Sequence, residues 1–70
     1  MDGIEVTWKG KTYRISGADY AAIQRAYYAM CEAEGTMEAG THYQLVNAFH
    51  QAGIRGLSKQ DARKLGAQIC

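Results

Sequence analysis

Ile4-Glu5-Val6-Thr7-Trp8-Lys9-Gly10-Lys11-Thr12-Tyr13-Arg14-Ile15 decides the fold, because this stretch pairs with itself. A two-residue turn at Lys9-Gly10 sets Trp8 opposite Lys11, Thr7 opposite Thr12, Val6 opposite Tyr13, Glu5 opposite Arg14 and Ile4 opposite Ile15. Side chains alternate between the faces of a strand, so one face collects Ile4, Val6, Trp8, Tyr13 and Ile15. The other carries a Thr–Thr and a Glu–Arg pair, cross-strand matches worth about 0.2–1 kcal/mol each. A slip of one residue would turn every apolar side chain to the wrong face, so the register is well specified.

A bare hairpin is marginal in water, so the chain that follows must cover its apolar face. Ser16, with Asp19 three residues on, predicts the N-cap of a helix over about 17–34, stopped by Gly35. Tyr20, Ile23, Ala26, Tyr27 and Met30 recur at helical spacing and form its buried face, with Cys31 half-buried at the margin. This helix is expected to lie over the hairpin. Thr41 and Gln44 make a capping box for a second helix over about 42–52, after a loop over 35–40. Its inward stripe is Leu45, Ala48, Phe49 and Ala52, and Gly53-Ile54 predicts a Schellman ending. Ser58 and Asp61 cap a third helix over about 59–69, with Leu57 as a staple and Ala62, Leu65 and Ile69 inward. The order β-β-α-α-α predicts one α+β domain spanning 1–70.

Size and charge narrow the function. Seventy residues with net charge +1 and 47% hydrophobic composition suffice for a small core, and such a chain buries only about 60% of its unfolded surface. The charge balance argues against a general nucleic-acid binder and against an acidic DNA mimic. The acidic start Met1-Asp2-Gly3-Ile4-Glu5 lacks the basic and apolar regions of a signal peptide. No apolar run approaches the ~20 residues of a membrane span. A cytoplasmic protein of a bacterial host, without membrane contact, is expected.

Candidate chemistry is sparse. His42 and His50 stand eight residues apart, too far for an i, i+4 metal pair, and no CxxC spacing adds Cys31 or Cys70 to them. An activated thiol needs a positive or helix-N-terminal setting, whereas Cys31 falls toward the end of its helix beside Glu32 and Glu34. Neither a phosphate loop nor a nucleophile elbow is present. No catalytic residue, metal or cofactor is assigned. Cys31 and Cys70 read as free thiols, with Cys70 at a loose terminus; a disulfide between them is the alternative.

The binding signals are stronger. Tyr28 and Tyr43 project from predicted polar faces, and exposed tyrosine beside arginine is the composition of protein-binding hot spots. Tyrosines lying flat over neighbouring alanines would give the same pattern. Arg55, Lys59, Arg63 and Lys64 make a basic segment around the third helix, set against Glu32, Glu34 and Glu38 in mid-chain. The last two helices share a crude outline with a helix-turn-helix, but the exposed positions lack an Asn or Gln run for reading bases.

The opening Gly3–Ile15 stretch, followed at once by an alanine-rich helix, resembles the start of small phage tail-assembly proteins of the gene-transfer-agent type. Ala48-Phe49-His50-Gln51-Ala52-Gly53 and Leu57-Ser58-Lys59-Gln60-Asp61-Ala62 are similar to that family as well. By type rather than motif, the chain also resembles phage-encoded inhibitors of host defence such as anti-CRISPR proteins. Together these resemblances imply a non-enzymatic protein-binding module that occludes a surface of a host complex, with a tail-assembly factor as the alternative. The competing class is a small DNA-binding regulator. Arg25, Tyr28, Tyr43, Arg55, Lys59 and Arg63 are the expected partner-binding residues. The hairpin's open edge also admits a homodimer.

Overall fold

The turn at Lys9-Gly10 forms as the pairing requires: both residues have positive φ, 50° and 81°, the geometry of a type I′ hairpin. The computed structural model describes residues 3–33 and 39–70. Its elements are β1 (Ile4–Trp8), β2 (Lys11–Ile15), α1 (Gly17–Ala33), α2 (Ala39–Gln51) and α3 (Lys59–Ile69), the expected α+β order. The strands are antiparallel, and all five expected cross-strand pairs are observed. On the polar face the Thr7 and Thr12 hydroxyls lie 3.4 Å apart.

Local chemistry sets most helix ends. The Ser16 hydroxyl accepts the Asp19 N–H at 3.2 Å and its carbonyl accepts the Tyr20 N–H at 2.8 Å, which starts α1. The expected stop at Gly35 and the acids Glu34 and Glu38 lie outside the described residues. At α3, the Ser58 hydroxyl accepts the Asp61 N–H at 3.1 Å. The end of α2 is a full Schellman motif. Gly53 has φ 99°, its N–H donates to the His50 carbonyl at 3.1 Å, and the Ile54 N–H donates to the Phe49 carbonyl at 2.9 Å. That reversal drives Ile54 into the core, where it is 1% exposed.

Two helix ends differ from expectation. α2 begins at Ala39, not His42, so Thr41 lies inside the helix and does not cap it. A glycine in a first turn is a weak breaker, costing at most about 1 kcal/mol, and helix stability comes mainly from tertiary packing; α1 and α2 pack closely. The C-terminus is not loose. Cys70 is the C-cap of α3, its N–H donating to the Gly66 carbonyl at 2.8 Å.

Every element feeds one core. The hairpin supplies Val6 and Ile15, α1 supplies Ile23 and Met30, α2 supplies Leu45 and Phe49, and α3 supplies Ala62 and Leu65, with Ile54 between the last two helices. Each large apolar side chain so buried contributes about 1.5–3 kcal/mol. The three helices pack against one another in all three pairings. Val6 and Ile15 tie the hairpin to the core that the three helices share, and its tip meets the α2–α3 connection and the first turn of α3, where Lys9 Nζ lies 3.6 Å from Asp61 Oδ2.

Candidate interaction surface

Arg25, Tyr28, Tyr43, Arg55, Lys59 and Arg63 are all exposed; Tyr43 and Lys59 are in contact, and Tyr28 reaches the end of α3. Tyr28 belongs to a seam where the end of α3 meets α1. Its ring meets Tyr27 edge-on, 5.8 Å between centroids at 69°, and its hydroxyl donates to the Cys70 carbonyl at 3.4 Å. One helical turn earlier on α3, a Cβ on Gly66 would come 2.6 Å from Tyr27 Cδ1, so only a glycine lets this ring lie on the helix. The Tyr20 hydroxyl donates to the Ile69 carbonyl at 2.6 Å.

The seam also carries both thiols. Cys31 is exposed, not half-buried as its helical position suggested, and both cysteines are free. The Tyr27 phenol is held above its ordinary pKa, first by its hydrogen bond with Cys31 and then by partial burial and the charge of the two thiolates, with Arg63 opposing. Burial, and then Cys31, push the Cys70 thiol up. The Arg63 charge is thus felt at Tyr27.

Arg55, Tyr43 and Lys59 lie elsewhere. Arg55 stands at an open groove of about 210 Å³ between the hairpin tip and the start of α3. The half-buried Trp8, Tyr13 and Leu57 supply its apolar lining, and the exposed Lys9 and Lys11 join Arg55 around it. Asp61 is the acidic member of the lining and pairs with Lys9. Three cations against one carboxylate make the groove electropositive. Tyr43 is 56% exposed, and Lys59, in the same first turn of α3 as Asp61, holds its ammonium 4.3 Å from the centre of the Tyr43 ring. This is a cation–π contact on an open surface.

Trp8, Lys9, Lys11 and Tyr13 were absent from the residues expected to bind a partner. A signal for them existed. Lys11 is directly opposite Trp8 in the register and therefore shares the hairpin's otherwise apolar face. A lysine there, at the tip, marks where that face leaves the core. The crude helix-turn-helix outline weakens in three dimensions, because residues 52–58 separate α2 from α3, against about 3–4 residues in that motif. His50 is exposed, and among the described residues no three His, Cys, Asp or Glu side chains converge. No helix among them is long and apolar enough to cross a membrane. Compared with protein-family models, curated proteins and solved structures, the chain matches none of them.

Proposed function

We propose that this chain is a non-enzymatic protein-binding module, of the kind phages encode, which inhibits a host complex by covering one of its surfaces. The observation that carries the reading is the Tyr43–Lys59 pair: a large ring 56% exposed, with a cation stacked on it at 4.3 Å, offered where α2 meets the start of α3. Tyrosine buries much area at little entropic cost, and a preformed surface binds without an ordering penalty. The phage assignment is supported by the resemblance of the Gly3–Ile15 stretch to tail-assembly proteins.

Affinity capture from a bacterial lysate, with and without nuclease, tests the reading when wild type and Tyr43→Ala are run side by side. A nuclease-resistant host protein complex that Tyr43→Ala fails to retain is the expected result. Capture that vanishes with nuclease would replace the reading with DNA binding, and capture of phage structural proteins alone would replace it with tail assembly.

A further inference from the structure

A shallow, open groove at the hairpin tip brings apolar and cationic side chains together at the surface. Its lining is mixed: Trp8, Tyr13 and Leu57 give apolar surface, Lys9 and Lys11 from the hairpin and Arg55 from the α2–α3 connection give three cations, and Asp61 gives one carboxylate. Its volume of about 210 Å³ suits one large side chain, not a cofactor. Lys9 adds a backbone argument. It sits at φ 50°, a left-handed position that favours Asn, Asp or Gly and disfavours a long side chain. A lysine held there against local preference supplies the groove's third cation. Its ammonium lies 5.8 Å from the centre of the Trp8 ring and 3.6 Å from Asp61 Oδ2. Local strain of this kind points to function when the side chain it presents has work to do.

We infer that this groove receives an acidic segment of a protein partner, one apolar side chain entering between Trp8, Tyr13 and Leu57 while flanking carboxylates meet Lys9, Lys11 and Arg55. The inference rests on the protein-binding reading above and names the chemistry of the partner. Charge complementarity selects the occupant. Three cations within one small groove favour carboxylates on both sides of the entering residue, and Asp61 already shows a carboxylate held by Lys9. Asp61 competes with the ligand for that ammonium, so its removal strengthens binding while removal of the cations weakens it. A purely apolar groove would respond to neither change.

Trp8 is the only tryptophan of the chain and lines the groove, so its fluorescence reports occupancy directly. The probe is a blocked peptide with one leucine flanked on each side by two glutamates, compared with its isosteric glutamine version and with an oligothymidylate. The acidic peptide is expected to change Trp8 emission saturably and the glutamine peptide not to. Lys11→Gln combined with Arg55→Gln weakens the acidic peptide by about tenfold or more, both positions being exposed and tolerant of change. Asp61→Asn tightens it by a few-fold. Equal response to both peptides, or no response to either, overturns the groove assignment and leaves the protein-binding reading to the Tyr43→Ala capture. Saturation by oligothymidylate alone, with steep salt dependence, overturns the groove assignment and the protein-binding reading together.

Discussion

The α1–α3 seam and the hairpin-tip groove are made of the same materials, aromatic rings and polar or charged ends, and use them in opposite ways. At the seam the ends turn inward. The last carbonyls of a helix have no partner within it, and Tyr20 and Tyr28 donate to those of Ile69 and Cys70, while the Tyr27 ring lies on Gly66. At the groove half-buried rings and exposed cations line one open surface together. The contrast shows that exposure of an aromatic ring is a poor guide to its role. Tyr28 is 49% exposed yet its hydroxyl turns to the carbonyl at the end of α3, 3.4 Å away, whereas the more covered Trp8 lines the open groove. The destination of the polar end separates the two cases.

If the seam is closed as described, Gly66→Ala is the most damaging of the changes that separate the regions. A methyl there collides with the Tyr27 ring. Overpacking of this kind costs about 1–3 kcal/mol, of which better helix propensity returns up to about 1 kcal/mol. Thermal unfolding should fall by several degrees; an unchanged midpoint would mean that the ring moves aside freely. Tyr20→Phe removes the short bond to Ile69 and is expected to cost about 1 kcal/mol in a denaturant titration. Tyr28→Phe, which loses a 3.4 Å bond on the surface, should cost only about 0.5 kcal/mol or less. Equal losses for the two tyrosines would remove the distinction between the inner and outer edges of the seam.

The groove should behave in the reverse sense. Lys9→Asn relieves a left-handed lysine and gives up an exposed ion pair worth little. It is expected to stabilise the fold by about 0.5 kcal/mol while weakening the acidic peptide, the trade of stability against function common at binding sites. A destabilised Lys9→Asn with undiminished peptide binding would show that Lys9 serves the fold alone.

The smallest effect is on the alkaline side of the seam. Cys70 and Tyr27 both have raised pKa values in the folded protein. The folded state therefore holds their protons more tightly than the unfolded chain does. The stability this gives is complete below the thiol's ordinary value of about 8.5 and is lost as pH rises through the folded values. Cys70→Ser should flatten the decline of the unfolding midpoint above about pH 8.5, and the same titration on Lys11→Gln should leave it unchanged.

Much of the fold was legible because local rules and packing agreed. The hairpin register followed from alternation and a turn, and every residue in the buried core except Ile54 came from a face marked by helical or strand spacing. The Gly53-Ile54 ending was readable for the same reason. The start of α2 was not, since Thr41 has the chemistry of a cap and the helix runs past it to Ala39. The site was less legible. Arg55, Tyr43 and Lys59 were identified by type and exposure, but the groove forms between the hairpin tip and the α2–α3 connection, and no spacing along the chain records that approach. Tyr28 and Arg63 were likewise identified by type and exposure; that the Tyr28 hydroxyl reaches the Cys70 carbonyl, and that the Arg63 charge is felt at Tyr27, joins residues far apart in the chain.

The most direct test of the contrast is a titration of isotopically labelled protein with the acidic leucine peptide, followed by backbone amide and indole resonances. The expected result is shifts at the Trp8 indole and at the amides of Lys9, Lys11, Arg55 and Gly56, with Tyr27, Tyr28, Gly66 and Cys70 unmoved. Shifts centred on the seam, with the Trp8 indole unchanged, would contradict the division into one closed and one open region.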